Sequence, residues 1–512
     1  MKPVSTIGRV FLIGAGPGDP ELMTLKGLRC LQHADCIIYD SLVNTELLQH
    51  GSATAECIYV GKRAGTRSVS QEEINSLLVK RALDGKVVAR LKGGDPFIFG
   101  RGGEEAEALA QVGIPFEIVP GITSGYAAPA YAGIPVTHRD FSSTVTFVTG
   151  HEDPAKEGSR IPWDEIATGT GTLVFFMGVG NLEEIVGTLI QKGKDPNTAI
   201  ALIQWGTCSD QEVVTGTLAT IVSQVSATGL STPAITIVGE VVRLRDTLKW
   251  FEHRPLAGKR IMITRPRHQA QELQKQLTEL GAEVVPFPTI EIRDPISWEP
   301  LDLAVEHIEE YQWLIFTSVN GVVRFFRRFR GRGRDLRELK GIRIAAIGSA
   351  TEKQITEMGL QVEVLPDEFK AEGLVESLKG KVLKGSRILL PRAKVARDVL
   401  PVELAKQGAQ VDVVTAYESV LPADGKDRFF RILEERPLHL LVFTSSSTVS
   451  NLAELVKPET LPVLLPHTAV ASIGPITTKT AESLGLHVDI QPRQYNVGSL
   501  LNAITDFFRP QQ

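Results

Sequence analysis

Cysteine is scarce in this chain, 4 of 512 residues. Cys30, Cys36, Cys57 and Cys208 form no CxxC pair, and none stands near a histidine at zinc-ligand spacing. That excludes a disulfide framework or zinc cluster as an organising device. The four are read as reduced core thiols, and no metal site is expected. Long apolar runs are also missing: none approaches the roughly 20 residues that span a bilayer. The amino terminus has no basic-then-apolar leader. A cytoplasmic protein with no membrane partner is expected. Positive charge is not in excess either. A net charge of −5 argues against a nucleic-acid partner for the chain as a whole.

What is present fits an ordinary globular protein. Hydrophobic residues make up 43%, enough for several cores, so disorder is not expected. The length fits three or four domains at about 150 residues each. Glycine is plentiful, and its densest group lies in VARLKGGDPFIFGRGGEE (88–105). The apolar run ending at Leu91 reads as a buried strand. The acidic residues from Glu104 read as a first helical turn, where carboxylates suit the helix dipole. Between them Gly93, Gly94 and Gly100 leave a loop with little bulk at the carboxyl end of a strand, where open α/β sheets place ligands. Such glycines let a ligand lie against backbone amides. The alternative is an ordinary glycine-rich turn.

Strand-like runs alternate with helix-period segments almost throughout, which predicts an α/β protein. Examples are 9–13, 36–39, 172–176 and 234–238. A polar stretch with Pro and Gly at 252–258 precedes a new strand at 260–264. It divides the chain into 1–251, a linker 252–258, and 259–512. The second part carries an internal repeat. GAEV at 281 recurs as GAQV at 408, LIFTS at 314 as LVFTS at 441, and AAIG at 345 as ASIG at 471. The spacing is about 127 residues each time, the mark of a duplicated α/β unit. Two similar domains facing each other make a cleft that suits a small molecule.

In the first part GAGPGD (14–19) follows the first strand, with Asp40 at the end of the next. That resembles a dinucleotide fingerprint, but Asp19 stands where the third glycine belongs, and Pro17 and Pro20 restrict entry into a helix. Taken together, VFLIGAGPGDPELMTLKG (10–27), VGKRAG (60–65), RLKGGDPFIFGRGGEE (90–105), VPGITSGYAAPAYAGIPVTHRD (119–140), TLVFFMG (172–178) and PAITIVGEVV (233–242) resemble the tetrapyrrole methyltransferases, most closely uroporphyrinogen-III C-methyltransferase. The resemblance implies two α/β subdomains and S-adenosylmethionine as cofactor. It also implies a homodimer formed through this half. It places cofactor binding at Pro17, Gly93, Gly94, Asp95, Ile98, Thr123, Ser124, Met177 and Gly206. The Asp95 carboxylate is expected to receive ligand groups, and Ile98 and Met177 to pack on the adenine. Ser124-Gly125 and Trp205 depart from the family pattern. Carbon methylation needs a base for the proton that leaves the ring. The resemblance gives that role to Asp40, with Lys62 as proton donor or charge partner. Asp40 as a turn cap and Lys62 as a binder of substrate carboxylate remain alternatives. Arg63, Arg67, Arg90 and Arg101 are candidate clamps for tetrapyrrole carboxylates.

In the second part the loops at 317–321, 348–351, 444–447 and 474–478 are rich in Ser, Thr and Gly, and each precedes a helix. Four helix N-termini facing one cleft suit an anionic ligand; routine N-capping is the alternative. ITRP (263–266), IFTSVNGV (315–322), AAIGSATE (345–352), ILLPRA (388–393), AYES (416–419), VFTSSS (442–447) and ASIGPITTKTAESLGL (471–486) resemble uroporphyrinogen-III synthase. The resemblance implies two α/β domains joined by a two-stranded linker, one of 259–290 plus 420–512 and the other of 291–419. It implies substrate contacts at Thr317, Ser318, Thr351, Ser445 and Thr477, and Tyr417 as a possible acid; a core aromatic is the alternative for Tyr417. The basic run at 324–334 is a candidate for attracting carboxylated substrate or a solvated helix end. The expected function is a bifunctional tetrapyrrole enzyme. Its rivals are a methyltransferase with a degenerate, tetrapyrrole-binding synthase half, and a nucleotide-responsive binding protein.

Overall fold

The computed structural model describes residues 7–61, 69–151 and 160–509. The chain divides into two compact units. One comprises Met1–Arg260, Lys275–Val284 and Thr505–Gln512, the other Ile261–Gln274 and Val285–Ile504.

The first unit holds two five-stranded sheets. Strands β1 (Arg9–Gly14), β2 (Cys36–Tyr39), β3 (Glu56–Tyr59), β4 (Val87–Lys92) and β5 (Phe116–Val119) pair in the order β3-β2-β4-β1-β5. All four pairings are parallel. Val10, Leu12, Ile13, Val88, Ala89 and Leu91 have no exposed surface. Strands apolar on both faces need cover on both faces, which crossover helices supply. The other sheet joins β6 (Val145–Thr149), β7 (Thr172–Phe176), β8 (Ala199–Gln204), β9 (Glu212–Thr217) and β10 (Ala234–Val238) in the order β6-β7-β10-β8-β9. Here β10 lies antiparallel between β7 and β8. Side chains alternate between the faces. Leu173, Phe175, Ile200 and Leu202 enter one core cluster. Val174, Phe176, Ala201 and Ile203 enter another with Ala128 and Ala132 of the helix Ser124–Tyr131. That helix follows β5, so the second core ties its middle and carboxyl end to the second sheet.

The stretch 252–258, expected as a linker, does not hang free of its surroundings. Leu256 has no exposed surface, and its N–H donates to Leu280 O. Glu252 pairs with Arg245 at 2.7 Å, and the Arg254 guanidinium lies 3.8 Å from the Phe251 ring centre. Its polar residues are partnered, which composition does not reveal. Nor are all cysteines core thiols: Cys57 is exposed, because β3 is the sheet's edge strand. Among the described residues no helix is long and apolar enough to cross a membrane.

The remaining strands are β11 (Arg260–Ile263), β12 (Glu283–Pro286), β13 (Glu291–Arg293), β14 (Trp313–Phe316), β15 (Arg343–Ala346), β16 (Arg387–Ala393), β17 (Gln410–Val420), β18 (Leu440–Phe443) and β19 (Ala469–Ser472). They form sheets of order β12-β11-β18-β19 and β13-β17-β16-β14-β15. The duplication is visible in detail. Short parallel bridges join Ala345 to Val364 and Ala471 to Ile490 at matching places in the two halves of the repeat. The two-stranded connection is the antiparallel pairing of Glu291–Arg293 with Glu418–Val420. The basic run forms a solvated helix end, with Arg327, Arg330 and Arg332 exposed, and three of its arginines have acidic partners. Arg324, Arg328 and Arg332 lie four residues apart on the helix Val319–Gly331 and pair with Asp294, Asp302 and Glu306. The opposite face of that helix buries Phe325, Phe326 and Phe329 against Phe316.

Phe326→Ala is expected to destabilise the carboxyl-terminal unit by about 3–5 kcal/mol. Arg330→Ala, at an exposed position of the same helix, should change stability by less than about 0.5 kcal/mol. Urea unfolding of both variants checks this; equal losses would misplace the core face.

Candidate functional site

Three loops of the first unit meet backbone to backbone. A Cβ on Gly14 would stand 2.4 Å from Gly121 Cα and 2.7 Å from Gly94 O, and one on Gly121 would stand 2.4 Å from Gly94 O. No real side chain fits such gaps, so the ends of β1, β4 and β5 converge because Gly14 and Gly121 carry no side chain, while Gly94, at φ +68°, meets them through its carbonyl. Gly16 and Gly94 form an antiparallel bridge, in which Gly94 N–H donates to Gly16 O at 2.7 Å. Asp95 closes the arrangement: its Oδ2 accepts from Gly121 N–H at 2.9 Å and its Oδ1 from Phe97 N–H at 2.8 Å. This carboxylate thus shapes the loop in which it stands. Gly93 differs in its reason. A Cβ there would meet Leu42 Cβ at 2.6 Å, whereas one on Gly94 (φ +68°) would make only ordinary contacts, 3.7 Å from Ser124 N and 3.9 Å from Thr123 Cα. Thr123 Oγ1 caps the helix Ser124–Tyr131 by accepting from Gly125 N–H.

The second sheet completes the cleft. Gly18 packs on Cys208 Sγ and Thr207 Oγ1, and a Cβ on Gly206 would lie 2.3 Å from Ala128 Cβ. Asp19 N–H donates to Thr207 Oγ1 at 3.0 Å, and Tyr131 Oη donates to Asp19 Oδ2 at 2.8 Å. Burial, and then the bond to Asp19, push the Tyr131 phenol well above its usual range. The Pro17 loop is thus pinned to the loop carrying Gly206. Ile98 packs beside Phe176, and Phe99 lies 5.0 Å from the Phe176 ring. Among the described residues six non-glycine residues have positive φ, and five are here: Phe99, Arg101, Met177, Trp205 and Thr207. Each costs of order 1–3 kcal/mol, and such strain gathers at functional sites. Met177 and Trp205 are 51% and 40% exposed, apolar surface for a planar ligand. The residues present thus fit an adenosyl cofactor: a loop free of side chains beside half-exposed apolar ones. Sequence reading missed the strained conformations, because no residue type other than glycine signals positive φ.

Asp40 ends β2 beside this loop. Its Oδ1 accepts from Leu42 N–H at 3.1 Å, and Arg90 Nη2 stands 3.4 Å from its Oδ2. It is 25% exposed. Arg90 is not a substrate clamp. It is 2% exposed and donates to Glu105 Oε1 and to Leu91 O. Lys92 shares Glu105 Oε1 at 2.8 Å, and burial, then Arg90, lower the Lys92 ammonium below its usual range. Arg101 is exposed and paired with Glu104. Lys62, Arg63 and Arg67 lie outside the described residues.

In the second unit the four loops split into two kinds. Ser318 Oγ accepts from Gly321 N–H at 3.1 Å, and Ser445 Oγ from Thr448 N–H at 3.4 Å. Capping therefore accounts for these two. Gly348 and Gly474 start the helices Ser349–Thr356 and Pro475–Ser483 with no side-chain cap. Thr351 and Thr477, in their first turns, are buried, which leaves backbone rather than hydroxyl groups at those ends. Thr317 is half-buried. Tyr417 is 7% exposed, with its hydroxyl 2.9 Å from Ser318 Oγ. The ring is core, and the phenol reaches the Thr317-Ser318 loop.

Comparison with known proteins agrees with this division. The family model described as Tetrapyrrole (Corrin/Porphyrin) Methylases matches residues 9–222. The one described as Uroporphyrinogen-III synthase HemD matches 271–502. The chain is 38% identical over 478 residues to the Porphyrin biosynthesis protein HemD of Ruminiclostridium josui, covering 93% of both. It is 37% identical over 450 residues to a Uroporphyrinogen-III C-methyltransferase of Bacillus subtilis, covering 87% of both. It is 54% identical over 241 residues to the S-adenosyl-L-methionine-dependent uroporphyrinogen III methyltransferase of Methanosarcina barkeri, covering 47% of this chain and 94% of that one.

Gly121→Ala places a methyl group against Gly94 O and should force the loops apart at a cost of about 1–3 kcal/mol. We expect at least a tenfold loss of S-adenosylhomocysteine affinity by calorimetry, with the circular dichroism spectrum kept. Unchanged affinity would show that this backbone contact does not hold the binding loop.

Proposed function

Because this chain belongs to the family that joins a tetrapyrrole methylase to a uroporphyrinogen-III synthase, we propose that it cyclises hydroxymethylbilane to uroporphyrinogen III and methylates the product twice, to precorrin-2. It is a bifunctional enzyme of tetrapyrrole biosynthesis, and its methyltransferase depends on S-adenosylmethionine. The observation that carries the reading is the meeting of the Gly14, Gly94 and Gly121 loops beside Asp40. It sets a cofactor cradle next to a carboxylate. The product would serve sirohaem or cobalamin formation. A homodimer through the first unit and a cytoplasmic setting belong to the same reading.

When bound, S-adenosylmethionine supplies an electrophilic methyl group. Pro17, Gly93, Gly94, Ile98, Thr123, Ser124, Met177 and Gly206 hold it, and Asp95 holds the loop. The attacking pyrrole carbon becomes tetrahedral, and the cationic ring that results must lose a proton, from its nitrogen or from the adjoining bridge carbon. Asp40 takes that proton, its carboxylate oriented by Leu42 N–H and Arg90. Lys62 serves as proton donor or charge partner. In the second unit the uncapped helix N-termini at Gly348 and Gly474 receive substrate carboxylates, together with the loops of Thr317, Ser318, Ser445, Thr351 and Thr477. Departure of the hydroxyl of hydroxymethylbilane needs one proton, and Tyr417 provides it through a phenol held beside Ser318. Most of the acceleration there comes from orienting the chain.

Asp40→Asn should keep cofactor affinity and lower methylation by about 10²–10⁴-fold, the usual share of a general base. Near-normal turnover removes Asp40 from the mechanism. Tyr417→Phe keeps the buried ring and removes only the hydroxyl. Cyclisation should slow by about tenfold or more without being abolished, and methylation of supplied uroporphyrinogen III should be untouched. The ratio of type III to the spontaneously formed type I isomer reads the effect. An unchanged ratio and rate would return Tyr417 to the core.

A further inference from the structure

Behind Asp40 lies a buried group of charges of which the mechanism above uses only Arg90. Glu105 has no exposed surface, Arg90 is 2% exposed and Lys92 4%. Glu105 Oε1 accepts from Lys92 Nζ at 2.8 Å, Arg90 Nε at 3.2 Å and Gln71 Nε2 at 3.3 Å. Its Oε2 is buried and, among the described residues, has no hydrogen-bond partner. A buried carboxylate with one oxygen unsatisfied is costly. Buried ion pairs are in general a poor means of adding stability, since apolar residues of similar volume often do as well. The arrangement therefore calls for another reason than packing.

The geometry supplies one. Arg90 Nε is held by Glu105, Nη1 donates to Leu91 O at 2.8 Å, and only then does Nη2 face Asp40 Oδ2 at 3.4 Å. A guanidinium is planar and rigid, so fixing two of its edges fixes the third. We propose that Glu105 is a positioning residue for methyl transfer, holding Arg90 in the one orientation that aims the Asp40 carboxylate at the cleft. This rests on the reading of Asp40 as the base. Glu105 lies in the first turn of the helix Gly102–Gln111, just after the glycine loop, and Arg90 and Lys92 lie on β4, just before it. The cluster thus also closes the two ends of that loop on each other. A purely structural role for Glu105 would be to close the loop or to neutralise Lys92.

The test compares Glu105→Gln, Glu105→Gln/Lys92→Met, Arg90→Lys and Asp40→Asn in the full chain. Steady-state methylation of uroporphyrinogen III and calorimetric titration with S-adenosylhomocysteine are read side by side. Glu105→Gln should lower kcat at least about tenfold while KM and S-adenosylhomocysteine affinity stay within about threefold, the pattern of a group that acts only in the reacting complex. The double variant should remain as slow, because Arg90 still lacks its anchor. Arg90→Lys keeps the charge but loses the fork and should show the same kcat loss, and it reads the same contact if Glu105→Gln fails to fold. Three results would overturn the proposal: normal kcat in Glu105→Gln while Asp40→Asn is crippled, loss of cofactor affinity in step with kcat, or recovery of kcat in the double variant. Normal turnover in Asp40→Asn would instead overturn the assignment of the base itself.

Discussion

The methyltransferase half depends on a contact that side chains would prevent. Gly14, Gly94 and Gly121 bring the ends of β1, β4 and β5 within van der Waals distance of one another through backbone alone. Everything else in the cleft follows from that approach. Asp95 can bridge to Gly121 N–H only because the loops touch. The helix carrying Thr123 and Ser124 then starts beside Gly94, and its other end joins the core of the second sheet. The five left-handed non-glycine residues around the cleft are held in strained conformations by this surrounding structure, as strain of that kind requires. Asp40 belongs to the same assembly, since Leu42 occupies the space that a side chain at position 93 would need.

The synthase half solves its problem by repetition. Two copies of one strand–loop–helix unit give equivalent loop pairs. In each copy one helix N-terminus is closed by its own serine and one is left with glycine. Backbone amides without a side-chain cap are a soft binding surface, suited to a flexible, many-carboxylate substrate. The Tyr417 phenol also reaches these loops, with its hydroxyl 2.9 Å from Ser318 Oγ.

The strands and the duplication were legible in the sequence, because apolar runs and repeats report directly on burial. The two-stranded connection comes from the family resemblance alone, and of the glycine loops only the one at 93–100 reads as a ligand loop. What was not legible was how polar groups are spent. Arg90 and the basic run of Arg324, Arg328 and Arg332 read as free cations, yet each is paired across residues distant in sequence. The bonds by which Asp95 ties its loop to Gly121 N–H were not legible either. The stretch 252–258 reads as a tether because Glu252 and Arg254 are polar, while Leu256 is wholly buried. Composition shows the charge; only the fold shows its partner. The left-handed Met177 and Trp205 carry no signal at all, since their conformation is imposed by tertiary contacts.

The central claim is that one chain carries out both reactions in sequence. It is tested most directly by incubating the purified protein with hydroxymethylbilane and S-adenosylmethionine and identifying the product by mass and isomer type. The account predicts a dimethylated macrocycle of the type III series, with unmethylated uroporphyrinogen III appearing first when the cofactor is withheld. Recovery of the type I isomer alone, or of type III without added methyl groups when the cofactor is supplied, would contradict it.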